Sequence, residues 1–164
     1  ISLGLAQGTP GEKGDALCSP RAYALTQHHK HLPEMAAVCG LADEPVFAPV
    51  VCDVPCGMLV TVPLHARRLR GAKDAGQVHA FLSEHYAGQR FVRVMPFGSA
   101  ETDDGRLGMT ALNGTNRLEI FVWGEGERIL LAARLDNLGK GASGAAVQCM
   151  NLAFGFDEAE ALEE

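Results

Sequence analysis

Three histidines, His28, His29 and His31, stand close together near the start of the chain. Histidine is the side chain whose unperturbed pKa, about 6.5, lets it exchange protons near neutral pH. Pro33 and Glu34 follow, and Pro is favoured in the first turn of a helix, so the histidines are expected where a strand ends and a helix begins. They are either exposed polar residues at a helix entrance or a group held in place for proton transfer.

A second candidate lies in residues 134–148, which read RLDNLGKGASGAAVQ. The apolar run at 129–135 predicts a buried strand, and the chain then breaks at Asp136 and Asn137 into a glycine-containing loop before a helix of small residues. Small residues let a helix approach a sheet or a cofactor closely, and loop amides at a helix start suit an anion or a polar ligand edge. Composition alone predicts a tight strand-loop-helix corner, and a ligand site is the more specific alternative.

The composition is that of an ordinary globular domain. The 164 residues suffice for one domain with a real core, and 47% of them are hydrophobic. No apolar run approaches the ~20 residues of a membrane helix, and no secretory signal opens the chain. The net charge of −6 disfavours a nucleic acid or an anionic membrane as partner. We interpret the basic run at 65–73 as a solvated loop, because blocks of like charge usually stay hydrated.

The five cysteines are odd in number and irregular in spacing, which argues against a disulfide framework or a zinc knuckle. Reduced thiols in the cytoplasm are therefore the expectation. Cys52 and Cys56 could coordinate a metal ion, but no second pair of Cys or His residues stands near them in the sequence. The sequence predicts no metal site.

Hydrophobic periodicity predicts six strands and three helices. The strands are expected at 23–27, 46–54, 58–64, 91–95, 117–123 and 129–135. The helices are expected at 32–41, 74–86 and 141–154. This order indicates an α+β fold, a mostly antiparallel mixed sheet with helices on one face. The expected organisation is a loop or arm at 1–20, one domain at 21–156 and an acidic tail at 157–164.

Five segments in a fixed order resemble one enzyme family. They are AYALTQHHKHLPEM at 22–35, GMLVTVPL at 57–64, YAGQRFV at 86–92, LNGTNRLEIFV at 112–122 and the corner at 134–148. Together they resemble the C-terminal catalytic and dimerisation domain of N-acetyl-γ-glutamyl-phosphate reductase in its short variant, within the glyceraldehyde-3-phosphate dehydrogenase-like superfamily. The resemblance implies an NADP-dependent oxidoreductase of arginine biosynthesis. Its substrate would be an acyl phosphate, which is reduced to a semialdehyde through a cysteine thioester.

The resemblance also implies roles for residues on the catalytic and substrate side. The pattern His-x-His-x-Pro-Glu at 29–34 identifies His29 as the catalytic histidine that faces the cysteine. Gln27, His31 and Arg117 are candidates for gripping the substrate, because Arg in particular can pair two oxygens at once. His28 falls where relatives carry a small residue, and we treat it as incidental.

On the cofactor side the resemblance places the loop of the corner against the nicotinamide of NADP. Asn137, Lys140, Gly141 and Gly144 are the candidate cofactor-binding residues, since an Asn side chain can satisfy both edges of a carboxamide. In the family, however, NADP is held mainly by an N-terminal nucleotide-binding domain that also carries the cysteine. The present sequence has no strand followed by Gly-x-Gly-x-x-Gly, and none of its cysteines stands in the family's catalytic motif.

The expectation is therefore a C-terminal half that is inactive alone and has its own nucleotide-binding domain as a partner. A homo-oligomer is expected as well. Two alternatives remain open at this point. One is a relative of aspartate-semialdehyde dehydrogenase, which uses similar acyl-phosphate chemistry. The other is a non-catalytic domain that only oligomerises or docks a partner.

Overall fold

The computed structural model describes residues 19–164, so most of the arm expected at 1–20 lies outside the described residues. The chain divides into two compact units, Ile1–Pro55 and Cys56–Glu164. The histidines belong to the first unit, and the strand-loop-helix corner belongs to the second.

The first unit contains a two-stranded antiparallel ribbon and one helix. Strand β1 (Arg21–Ala22) pairs with β2 (Val50–Val51), and helix α1 spans His31–Cys39. Gly40 ends the helix in the left-handed conformation (φ 61°), where its N–H bonds to the Ala36 carbonyl. The helix expected at 32–41 is confirmed, but the longer strands expected at 23–27 and 46–54 are wrong.

The second unit is built on a four-stranded sheet in the order β3-β6-β5-β4. Its strands are β3 (Met58–His65), β4 (Val92–Val94), β5 (Leu118–Glu125) and β6 (Arg128–Leu135). All neighbouring strands are antiparallel except β4 and β5. The expected α+β class is confirmed. Strand β3 lies at the edge of the sheet, which accommodates Pro63 because an edge strand can lack one donor.

Helix α2 (Ala75–His85) packs against β4, β5 and β6. Asp74 caps it, since its carboxylate accepts the Gln77 N–H at 2.8 Å. Val78 on this helix packs with buried Val122 and Ile129 of the sheet. Phe81, which the helical spacing would also place on the buried face, is 64% exposed and stacks on His85 instead.

Helix α3 (Gly144–Phe154) follows the corner and is preceded by one π-helical turn, Gly139–Ser143. The acidic tail then folds back along it, because the buried Asn151 amide donates to the carbonyls of Glu158 and Glu160. Among residues 19–164, no helix is long and apolar enough to cross a membrane.

Candidate functional site

His29 lies half-buried just before α1, in a small aromatic cluster of the first unit. Its ring centroid is 5.9 Å from that of Tyr23, 5.0 Å from that of Phe47 and 4.8 Å from that of His31. Its Nδ1 accepts the backbone N–H of His31 at 3.3 Å. An accepting Nδ1 carries no proton, so the neutral ring holds its proton on Nε2.

Partial burial lowers the pKa of His29 below its ordinary value, and the nearby charges of His31 and Lys30 lower it further. Desolvation acts in this direction because it disfavours the charged imidazolium. At neutral pH His29 is therefore mainly a neutral imidazole with one N–H to donate.

The other candidates near His29 occupy different positions. Gln27 stands at positive φ (60°), and its side chain closes a loop on the Phe47 backbone: the amide donates to the carbonyl at 2.8 Å and accepts the N–H at 2.9 Å. His31 begins α1 and lies half-buried beside His29, whereas His28 is exposed. The structure thus brings His29 and His31 together and uses Gln27 to fix the loop around them.

In the second unit the corner is organised by Asp136, a residue that the sequence analysis did not single out. Its carboxylate is 4% exposed and accepts the N–H groups of Gly114 at 2.7 Å, Leu138 at 2.8 Å and Gly139 at 3.2 Å. The Cys56 thiol is a further donor. Burial alone would raise the pKa of Asp136, but these hydrogen bonds outweigh it and the pKa lies below its ordinary value.

The same contact affects Cys56. Burial and the negative charge of Asp136 raise the pKa of its thiol, so this cysteine stays protonated and poorly nucleophilic. Cys56 is therefore a structural donor to Asp136.

Asn137 is fixed by its side-chain oxygen, which accepts the Gly57 N–H at 2.7 Å. Its Nδ2 has no hydrogen-bond partner among residues 19–164, so one donor of the half-buried amide remains available. Gly57 itself has φ 111°, and a Cβ there would lie 2.6 Å from the Met109 carbonyl oxygen. A glycine is needed for this close approach.

The candidate glycines serve the packing of the corner. Gly141 donates its N–H to the Asp136 carbonyl at 2.8 Å. A Cβ on Gly144 would lie 2.2 Å from Asn116 Oδ1 and 2.9 Å from the backbone of Gly139. The buried position of Gly144 thus lets α3 approach the start of β5 closely, as the small-residue pattern predicted.

Lys140 points into the protein. Its ammonium bonds to the Gln148 side-chain oxygen and lies 5.4 Å from the centroid of the Phe91 ring. Burial lowers its pKa, while the negative charge of Glu158 acts in the opposite direction. Lys140 therefore stabilises the corner from inside.

Arg117 is engaged by the acidic tail. Its guanidinium donates to the backbone oxygen of Glu164 at 2.7 Å. Arg90 beside it pairs with Asp157 at 2.7 Å and with Glu164 at 2.5 Å. Arg117, the candidate substrate-binding residue of the second unit, is thus already hydrogen-bonded to the tail.

Comparison with known families assigns the chain. The family described as semialdehyde dehydrogenase, dimerisation domain, matches residues 12–137. The chain belongs to this family. The matched range of the dimerisation domain contains His29, Arg117 and Asn137 and ends before Lys140 and the two candidate glycines.

Three curated relatives of this dimerisation domain are named as N-acetyl-gamma-glutamyl-phosphate reductases. N-acetyl-gamma-glutamyl-phosphate reductase 2 of Nostoc sp. (strain PCC 7120 / SAG 25.82 / UTEX 2576) is 45% identical over 140 residues, which are 83% of this chain and 44% of that protein. N-acetyl-gamma-glutamyl-phosphate reductase of Burkholderia cenocepacia (strain HI2424) is 43% identical over 149 residues, 88% of this chain and 47% of that protein. The same-named protein of Brucella abortus (strain S19) is 44% identical over 135 residues, 81% and 43% respectively. The chain spans about half the length of these relatives, and the resemblance seen in its motifs is confirmed.

A buried ion pair is the second feature of the domain that the sequence analysis missed. Arg134 of β6 donates to Glu119 of β5 at 2.6 and 3.0 Å and to Glu101 at 2.7 Å. Arg134 and Glu119 lie directly opposite each other in the sheet register. Two opposite charges, each one residue in from the end of a largely apolar strand, were the signal that could have indicated the pair. The network ties the loop around Glu101 to the sheet.

Proposed function

We propose that this chain is the catalytic and assembly part of an N-acetyl-γ-glutamyl-phosphate reductase. The whole enzyme would convert N-acetyl-γ-glutamyl phosphate and NADPH to N-acetylglutamate 5-semialdehyde, NADP and phosphate. The observation that carries the proposal is the half-buried His29 beside His31, in a chain that is 45% identical over 140 residues to one protein of that name. The chain by itself is inactive in this proposal, because the nucleophilic cysteine and the main nucleotide-binding fold belong to another part of the enzyme.

The reaction needs two additions to a carbonyl carbon. A cysteine thiolate attacks the acyl phosphate, the carbon–oxygen bond to phosphate breaks, and a thioester forms. When NADPH is bound to the complete enzyme, it would supply the hydride that reduces this thioester. The resulting alkoxide then expels the thiolate and leaves the aldehyde. Negative charge develops on the same oxygen at both additions, so one donor can serve both.

His29 is the proposed donor. With Nδ1 occupied by the His31 N–H and a lowered pKa, the neutral ring offers Nε2–H to the developing oxyanion. This role is narrower than the proton transfer inferred from the sequence, because a neutral imidazole donates a hydrogen bond and keeps its proton. The Tyr23 and Phe47 rings that flank His29 hold its orientation.

His31 and Arg117 are the proposed groups for the carboxylate and phosphate of the substrate. His31 is the better placed of the two, since it lies beside His29 and its ring has no resolved hydrogen bond in residues 19–164. Arg117 would have to release the Glu164 backbone oxygen first. Gln27 contributes by holding the loop through Phe47.

Of the four candidate cofactor-binding residues, Asn137 is the one whose side chain is free to bond the carboxamide of NADP. Asn137 Nδ2 is a half-buried donor without a partner among residues 19–164, and it can bond the carboxamide oxygen of NADP. Lys140, Gly141 and Gly144 have their polar groups or their space committed to the corner itself. We propose that these three residues keep Asn137 in place.

We also propose a homo-oligomer and a cytoplasmic setting. The matched family is described as a dimerisation domain, which supports self-association. Cys39, Cys56 and Cys149 form no disulfide among residues 19–164, which is typical of a reducing compartment. A non-catalytic docking domain is the alternative that the following test addresses.

The test is carried out in the complete protein. His29→Asn should lower kcat by roughly 10²- to 10⁴-fold, the usual contribution of a positioned acid-base or donor group. His28→Asn is the matched control, because His28 is exposed and adjacent in the sequence. NADPH formation from N-acetylglutamate 5-semialdehyde, phosphate and NADP measures both variants. Equal activity of the two variants would overturn the assignment of His29, and a complete protein without turnover would favour a docking domain.

A further inference from the structure

A basic groove lies in the second unit, away from the corner and the tail. It encloses about 340 Å³ and is lined by the apolar side chains of Ala66, Leu69 and Ala72 together with the charged side chains of Arg67, Lys73 and Glu127. Volumes of this order are typical of small-molecule sites. We propose that the basic groove binds a small phosphorylated metabolite.

The first argument is the concentration of positive charge. Four of the chain's 14 Lys and Arg residues fall within seven positions, although the whole chain carries a net charge of −6. They are Arg67, Arg68, Arg70 and Lys73. Arg67 and Lys73 line the groove together with Glu127, and Arg68 and Arg70 stand beside it in the chain. Cations held this close repel one another, and an excess of positive charge raises the local concentration of anions. A dianionic or trianionic ligand relieves this repulsion.

The second argument is the shortage of internal partners. Arg68 and Arg70 form no ion pair or hydrogen bond with any residue from 19 to 164, and neither does the side chain of Lys73. Arg67 has one carboxylate partner, Glu127, at 3.5 Å, and both side chains are more than half exposed. Such an exposed pair is weak. Guanidinium groups of this kind are well suited to phosphate oxygens.

The third argument is that the walls of the groove are fixed. The Ala66 N–H donates to the Glu127 carbonyl at 2.9 Å, which joins the turn Ala66–Arg68 to the β5–β6 hairpin. The Lys73 N–H donates to the Gln77 side chain at 2.9 Å, which anchors the opposite wall to α2. Ala66 is buried in the core. The groove is therefore preorganised, and its apolar side suits the uncharged part of a metabolite.

Isothermal titration with pyrophosphate tests the proposal, with sulfate at equal ionic strength as the comparison anion. Pyrophosphate should bind with a Kd in the millimolar range or tighter. The double variant Arg67→Gln/Lys73→Gln should weaken binding about 10-fold, which corresponds to the loss of charge-assisted contacts. Glu127→Gln should strengthen binding, because it removes the carboxylate that competes for Arg67. Two variants in one groove thus change affinity in opposite directions.

Arg106→Gln is the matched control, since Arg106 is an exposed arginine of the same unit that pairs with Asp104 elsewhere. It should leave the affinity unchanged. The proposal is overturned if pyrophosphate fails to bind the native chain or if sulfate binds equally well. It is also overturned if the groove variants behave like Arg106→Gln. Urea denaturation of each variant establishes that the change in affinity does not come from unfolding.

Discussion

Replacement of Asp136 by Asn tests the organisation of the corner most directly. The native carboxylate accepts N–H groups from Gly114, Leu138 and Gly139 and a hydrogen bond from the Cys56 thiol. An Asn side chain retains one oxygen and presents an N–H₂ group in place of the other. If the oxygen keeps Leu138 and Gly139, the amide N–H₂ faces the Gly114 N–H, and two donors oppose each other at a buried site.

The expected loss of stability follows from these bonds. Hydrogen bonds to a charged group contribute about 1.5–3 kcal/mol, and neutral ones about 1 kcal/mol. One charged bond is lost to Gly114 and two others become neutral, so Asp136→Asn should cost about 2.5–7 kcal/mol before any change in the Cys56 contact is counted. Single domains are stable by about 5–15 kcal/mol, so this is a large fraction of the total.

The direction of the Asp136 pKa shift determines how this stability loss changes with pH. The folded pKa of Asp136 lies below its ordinary value of 3.8. Its stabilising contribution is therefore fully present above pH 3.8 and is lost as the pH falls below that value. The stability difference between the native chain and Asp136→Asn should be constant near neutral pH and should shrink below pH 3.8.

Urea denaturation followed by the fluorescence of Trp123, the only tryptophan, measures this difference. Trp123 lies on β5, so the signal reports on the second unit. Asp103→Asn is the control, because Asp103 is exposed in the loop before Gly105. A cost below about 0.5 kcal/mol, the size of an ordinary surface substitution, would refute the reasoning. So would a difference that stays constant down to pH 3.

Two further substitutions test how the second unit packs. Gly144→Ala should destabilise the chain by about 1–3 kcal/mol through overpacking, since a Cβ would meet Asn116 Oδ1 at 2.2 Å. Thermal denaturation measures the change. Arg134→Met should cost about 3–5 kcal/mol, because Glu119 is left buried without its partner. The double variant Arg134→Met/Glu119→Leu should recover most of that loss, and additive costs in a urea series would show that the pair is not coupled.

The elements with a clear period were predictable from the sequence. The strands expected at 58–64 and 129–135 both became full strands of the sheet, and the helices at 32–41 and 74–86 formed within two residues of their expected bounds. The strand expected at 46–54 failed because Pro49 interrupts it and only Val50 and Val51 pair with β1.

The candidate site was predictable only where residue type carries the chemistry. His29 could be named from its pattern, but its environment depends on Phe47, which is 18 positions away and reaches the ring through the Gln27 loop. Asp136 could have been recognised in part, because an Asp that accepts N–H groups two and three positions later forms an Asx-type turn. Its bond to Gly114, 22 residues earlier, depends on tertiary structure and left no local signal.

The corner and the tail are coupled through Gln148. Its side-chain oxygen accepts from Lys140 and from Asn116, and its amide donates to Glu158 at 2.7 Å. The tail thereby brings the negative charge of Glu158 near the Lys140 ammonium. The tail also contacts the segment just before β5, where the Asn116 N–H donates to the Glu163 carbonyl at 2.7 Å. Asn116 Oδ1 is buried without a hydrogen-bond partner among residues 19–164, and it is the atom that a Cβ on Gly144 would meet. The acidic tail, expected as a separate segment, therefore packs on the second unit through Asn116, Gln148 and Asn151.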